Sequence, residues 1–157
     1  MSILLLAGIF VGSLFALSYI SKRRFGVLGL GLCAGSLLSA AWAGALTPYV
    51  EGQVTSVVPT QPEAVVAMLL TLLPALVLLI NGPTYSSKVQ RIVGSMAFAL
   101  LALVFLLQPI GIILVFDPVG LELYRTLTTY SGGIVAAGVV LAVADILMSR
   151  APKKGKK

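Results

Sequence analysis

The sequence contains no histidine and a single cysteine, Cys33, which lies inside an apolar stretch. Without histidine, the chain has no imidazole for general-base catalysis, for a metal site or for a catalytic triad. One cysteine excludes an internal disulfide and a cysteine zinc site. Neither a Walker loop nor a dinucleotide fingerprint occurs, and no carboxylates are paired. We therefore expect no enzyme, no metal and no cofactor.

Charged residues are also scarce. They make up 10% of the 157 residues, whereas 59% are hydrophobic. A soluble domain is nearer a quarter charged and half apolar, and a soluble fold of this size could not cover so much apolar surface. The composition predicts one membrane domain over residues 1–148, followed by a basic tail over residues 149–157.

Apolar runs recur five times along the chain. A helix that crosses a membrane needs about 20 residues, with about 17 to 25 tolerated, and in lipid its backbone must be hydrogen-bonded within the segment. The predicted fold class is therefore an all-α integral membrane protein, a bundle of five transmembrane helices. The helices are expected at residues 3–20, 25–46, 64–80, 92–116 and 132–148.

Two polar segments between these runs predict loops. Residues 48–63 contain three prolines, with Thr60 and Glu63 spaced as a capping box for the third helix, and residues 117–130 are also polar. The positive charges follow the first run instead of preceding it, so we expect an uncleaved helix and not a signal peptide.

The basic residues give the expected orientation. The net charge is +6, and in a five-span topology every lysine and arginine except Arg125 falls on one side. Basic residues collect on the cytoplasmic side, so the N-terminus should lie outside and the C-terminus inside. Because these residues flank apolar runs, we expect them to bind anionic lipid headgroups and not nucleic acid. The candidates are Lys22, Arg23, Arg24, Lys88 and Arg91.

Small residues recur at every fourth position in three predicted helices. This spacing places them on one helix face, where two helix backbones can approach closely. The faces could pack within the chain, or against another membrane protein or a second copy. The residues are Gly8 and Gly12 in the first helix, Gly31, Gly35 and Ser39 in the second, and two pairs in the fifth, Gly133 with Ala137 and Gly138 with Ala142.

Two polar residues interrupt apolar runs. Asp145 shares a helix face with Gly138, so its carboxylate should face the bundle interior, either as a proton or ion site or as a structural group paired with Arg91, Arg24 or a helix terminus. Gln108 precedes Pro109, which predicts either an unwound segment along a substrate path or a simple kink.

Two short segments resemble the colicin V production protein family. These are the basic-aromatic-glycine turn over residues 22–26 and the stretch over residues 85–94, where a basic residue and a glycine open a helix. The resemblance spans residues 1–110. The chain departs from the family at residues 98–100, which lack a second arginine-glycine, and in its apolar fifth helix. The resemblance implies a bacterial inner-membrane protein involved in export or envelope maintenance, with no catalytic residues.

Two functions are compatible with these features. The first is a non-enzymatic accessory subunit that packs against other membrane proteins, which the small-residue faces and the missing catalytic groups favour. The alternative is a small oligomeric transporter or channel, for which Asp145 and Gln108 are the candidate residues.

The orientation can be tested by labelling single cysteines in a Cys33→Ala background. We expect a membrane-impermeant maleimide to reach Gln53→Cys from outside, and Lys22→Cys only after the membrane is permeabilised, because the charges around residue 22 hold that turn inside. Labelling of both positions from the same side would rule out the topology. Neutralising Lys22, Arg23 and Arg24 together should produce mixed orientations.

Overall fold

A computed structural model of the chain describes residues 3–54, 61–85, 87–113 and 118–149. Within those residues the chain is five α-helices with no extended strand, and its secondary structure beyond the helices is one isolated β-bridge between Arg23 and Thr84. The helices are α1 (Ile3–Ser21), α2 (Phe25–Val54), α3 (Pro62–Asn81), α4 (Lys88–Ile113) and α5 (Pro118–Ser149).

Four of the helices, α2 to α5, are long and apolar enough to cross a membrane. The first helix contributes a shorter apolar stretch, Gly8–Ser21. The all-helical, multi-pass character predicted from the sequence is thereby confirmed.

The prediction of a loop at residues 48–63 is wrong at both ends, because helices occupy the first and last of these residues. Helix α2 continues through Pro48 to Val54. Pro48 has no backbone N–H to donate to the carbonyl of Gly44, four residues earlier, yet the helix continues for six residues past it. At the other end, α3 begins at Pro62 with Gln61 as its N-cap and no side-chain capping bond from Gln61, while Thr60 of the predicted capping box lies outside the described residues.

The expected loop before the fifth helix is helical as well. Helix α5 starts at Pro118, a residue suited to the first helical position, and not at residue 132. Hydroxyls of Thr126, Thr128 and Thr129 each donate to the carbonyl four residues earlier, so these polar residues stay within the helix. With 32 residues, α5 is about 48 Å long, well beyond the ~30 Å apolar layer of a bilayer.

Helix α2 is the centre of the bundle. It makes its most extensive contact with α3 and also packs against α4 and α5, whereas α1 lies mainly against α4. The buried core joins these helices through large apolar side chains, among them Leu14, Phe25, Leu28, Leu32, Phe98 and Leu101.

The small-residue face of α2 is what brings α3 so near. A Cβ atom added to Gly31 would lie 2.8 Å from Leu78 Cδ1, and one added to Gly35 would overlap the backbone carbonyl of Thr71. Glycine is therefore required at Gly35 by the closeness of a neighbouring backbone.

Substitutions in α2 test this close approach. We expect Gly35→Ala to lower stability by about 1–3 kcal/mol, because the methyl group must push the α3 backbone away. Gly44→Ala is the matched control, since its added methyl would meet only Glu63 Oε1 at 3.7 Å, an ordinary contact. Gly35→Leu should lower the stability further. Leu38→Ala, at an exposed position, should lower it only slightly. The measurement is thermal unfolding in detergent, and equal stability of Gly35→Ala and Gly44→Ala would contradict the packing.

Candidate functional sites at the two ends of the bundle

One end of the bundle, here named the turn end, carries the two short connections at residues 22–24 and 82–85. The connections run antiparallel and bond to each other through their backbones: Arg24 N–H donates to Pro83 O at 2.9 Å, and Tyr85 N–H donates to Lys22 O at 2.8 Å. Lys22 has a φ of 59°, the left-handed conformation that ends many helices, and it turns the chain sharply after α1.

The side chain of Arg23 satisfies the end of α3. Its Nε donates to the carbonyl of Leu79 at 2.9 Å, and its two terminal nitrogens donate to the carbonyls of Ile80 and Gly82. The last carbonyls of a helix have no partner inside the helix and carry partial negative charge. A guanidinium supplied by another turn therefore both bonds and neutralises them.

At the start of α2 the unpaired groups are amide donors, and they are bonded by oxygen acceptors from other segments. Phe25 N–H donates to the hydroxyl of Tyr85 at 3.0 Å, and Gly26 N–H donates to Asp145 Oδ2 at 2.9 Å. These amides belong to the first turn of α2, where a helix has unpaired donors and partial positive charge. A phenol from one turn and a carboxylate from α5 thus cap the helix that begins between them.

Asp145 faces the bundle interior, as its spacing predicts. On the same face, Ala142 is fully buried and a Cβ atom added to Gly138 would lie 2.7 Å from Leu101 Cδ1. The sequence predicts Arg91, Arg24 or a helix terminus as the partner of this carboxylate, and the structure shows it bonded to the N-terminus of α2. Arg24 instead donates to the backbone carbonyl of Asp145 at 3.3 Å.

Close approach of α5 to the start of α2 depends on Gly26. A Cβ atom there would overlap the carbonyl of Ala142 and lie 3.1 Å from Asp145 Oδ2. Gly26 is a packing position that the small-residue spacing did not identify, because the residues four positions before and after it, Lys22 and Leu30, are large.

Tyr85 joins three of these groups. Its ring lies 5.5 Å from the Arg24 guanidinium, and it packs so closely on α4 that a Cβ atom at Gly94 would lie 2.6 Å from its hydroxyl. Burial, then the charge and hydrogen bond of Asp145, raise the pKa of Tyr85 to about 12, although the Phe25 amide and Arg24 act in the opposite direction. The phenol therefore stays protonated at physiological pH.

The basic residues of the turn end divide into two groups. Lys22 and Lys88 are exposed, and their contact with lipid headgroups stays a prediction. Arg23 and Arg24 are half-buried and bonded to the protein, and the Arg91 guanidinium lies 3.9 Å from the centre of the Tyr19 ring. The arginines therefore hold helices together, a role that charge position alone did not reveal.

The opposite end contains a cavity of about 550 Å³ between α2, α3, α4 and α5, here named the polar cavity. Glu63, at the start of α3, is among its lining residues. So are seven uncharged polar side chains: Ser36, Ser39, Gln61, Thr71, Gln108, Thr128 and Ser131.

Gln108 belongs to this cavity, but α4 does not unwind around it. The helix continues through the buried Pro109 to Ile113, so of the two alternatives considered from the sequence, the unwound segment is not found. The polar side chain nevertheless faces the cavity, together with Ser39 from the small-residue face of α2.

The remaining small residues lie in open space. Cβ atoms added to Gly8, Gly12 and Gly133 would meet nothing within 4 Å. Their faces are therefore not used for packing among the described residues, in contrast to those of Gly31, Gly35 and Gly138.

Comparisons with protein-family models, with curated proteins and with solved structures find no match for this chain. The resemblance to the colicin V production protein family stays a prediction.

Substitutions at Asp145 test its capping role. Asp145→Asn keeps an oxygen that can accept from Gly26 N–H, so we expect normal assembly and a loss below about 1 kcal/mol. Asp145→Leu leaves that amide and the Tyr85 phenol without their carboxylate, and should cost about 1–3 kcal/mol. Thermal unfolding in detergent compares the two. If Asn were as damaging as Leu, the negative charge and not the hydrogen bond would be the essential property.

Proposed function

We propose that this chain is a non-enzymatic, five-span protein of the bacterial inner membrane that acts as an accessory subunit of a larger membrane assembly. The observation that carries this proposal is that two of its helices present unused packing faces. One face is on α1 and contains Gly8 and Gly12; the other is on α5 and contains Gly133.

The packing of α5 is unusually sparse for a helix inside a bundle. Over residues 118–148, Gly120 and Ala142 are the buried positions, while large apolar side chains such as Val140 and Leu147 are 68% and 65% exposed. Lipid can cover leucine and valine, but a glycine face gains stability mainly when another helix backbone approaches it. Exposed glycines at helical spacing therefore favour a protein neighbour, either another subunit or a second copy.

The distribution of charge supports the proposed orientation. The turn end carries Lys22, Arg23, Arg24, Lys88 and Arg91, and basic residues are typical of cytoplasmic connections. The polar cavity then opens toward the outer side. The family resemblance adds a role in export or envelope maintenance to the same proposal.

A second candidate function is a small oligomeric transporter or channel. The polar cavity favours it, because several polar side chains from four helices face one space, as a substrate path requires. Asp145 does not contribute to this candidate, since its carboxylate caps α2 at the turn end.

The accessory-subunit proposal is tested with Gly8→Leu and Gly12→Leu. We expect each to remove the chain from its assembly while leaving its own unfolding temperature unchanged, because a Cβ atom at either position would meet none of the described residues within 4 Å. Ala34→Leu, a similar enlargement at an exposed position on α2, is the control and should leave the assembly intact. Particle mass in mild detergent is the measurement.

Two results would contradict the proposal. One is a wild-type chain that is monomeric in native membranes as well as in detergent. The other is an assembly whose mass is the same in the wild type, Gly8→Leu and Gly12→Leu. An oligomer formed by the purified chain alone identifies the neighbour as a second copy.

A further inference from the structure

The polar cavity has the size of a small-molecule site. At about 550 Å³ it falls within the ~300–1,000 Å³ range typical of ligand pockets, and its walls combine apolar surface with a few polar groups. The chemistry of those polar groups restricts what can bind.

Four of the five hydroxyl groups that line the cavity can act toward a ligand as acceptors and not as donors. Ser36 donates to the carbonyl of Cys33 at 2.8 Å, Thr71 to that of Ala67 at 2.8 Å, and Thr128 to that of Tyr124 at 2.8 Å. Ser131 likewise donates to a carbonyl of its own helix at 2.7 Å. A hydroxyl has one hydrogen and two lone pairs, so each group has used its hydrogen and still offers oxygen lone pairs. The cavity therefore favours a ligand that donates hydrogen bonds.

The charge of the cavity favours a cation. Of the described residues that line it, Glu63 alone is charged. Its carboxylate lies across from α2, where Oε1 would be 3.7 Å from a Cβ atom at Gly44. Glu63 is exposed at the start of α3, so it attracts a positive ligand as a charge near a protein surface does, and this attraction adds to the hydrogen bonds that the cavity offers. An anion meets repulsion and no compensating base.

The remaining wall is apolar. Val104, Phe105, Ile112 and Val135 line the cavity between the polar groups. A bare metal ion would leave this surface uncovered, and the described residues contain no cluster of three acidic, histidine or cysteine side chains that could hold one. An organic cation with an apolar body covers it.

We propose that the polar cavity binds a primary organic ammonium compound with an apolar body, with its ammonium group beside Glu63 and its N–H groups bonded to the serine and threonine oxygens. The apolar body packs against the side chains around Phe105. The site goes beyond the accessory-subunit function, and it holds whether or not the ligand is moved across the membrane.

The probe is 2-phenylethylamine, which is positively charged at neutral pH, and the matched neutral compound is 2-phenylethanol. Binding is measured by titration calorimetry on the full chain in detergent. We expect saturable binding of the amine and at least tenfold weaker binding of the alcohol, because the two share a body and differ in charge and in number of donors.

Variants assign the binding to the cavity. Glu63→Gln should weaken binding of the amine at least tenfold. Glu122 is an exposed acid on α5 outside the cavity lining, so Glu122→Gln should leave the affinity for the amine unchanged. Thr71→Val, which removes one acceptor with little change in shape, should weaken the amine severalfold. Ser39→Phe fills the cavity and should abolish binding, which keeps the test valid if Glu63→Gln fails to fold.

Three outcomes would overturn the proposal: no saturable binding of the amine, equal affinity for amine and alcohol, or unchanged affinity in both Glu63→Gln and Ser39→Phe. Uptake of the labelled amine into vesicles separates this site from the transporter candidate. Binding without uptake supports the site and argues against transport.

Discussion

The bundle depends on how its helix ends are paired at the turn end. A helix leaves its first donors and last acceptors without internal partners, and burying them unpaired would cost about 1–3 kcal/mol each. Here the partners come from other segments: Arg23 bonds the last carbonyls of α3, while Tyr85 and Asp145 bond the first amides of α2. The signs of the charges also match the helix dipoles, with a cation at a C-terminus and an anion at an N-terminus.

This pairing holds the helices together at the turn end, and the opposite end of the bundle is packed differently. At the turn end, glycine lets helices approach until backbones touch, as at Gly26. At the opposite end, the polar cavity lies between four helices. The chain therefore combines a closely packed turn end with the polar cavity at the opposite end. The two proposed roles use surfaces that the bundle leaves uncovered: the glycine faces for assembly and the polar cavity for ligand binding.

The sequence predicted the features that follow from local periodicity. The apolar runs identified all five helices, and the spacing from Gly138 to Asp145 placed the carboxylate on the interior face. Proline and polar content misplaced the boundaries, because α2 continues through Pro48, and the threonines after Pro118 stay within α5 by bonding their hydroxyls to preceding carbonyls. The cavity escaped prediction for another reason. Ser36, Thr71 and Thr128 are far apart in sequence, and only the packing of four helices brings them to one space.

The role of Arg23 has a consequence for the order in which the molecule is made. The arginine follows α1, yet every carbonyl it bonds belongs to residues 79–82. While the ribosome is still synthesising α3, the guanidinium has no protein acceptor, and the start of α2 also awaits Tyr85 and Asp145. The first helical hairpin is therefore incomplete until most of the chain has emerged. A polypeptide that ends before α3 therefore lacks the acceptors of Arg23 and both caps of α2.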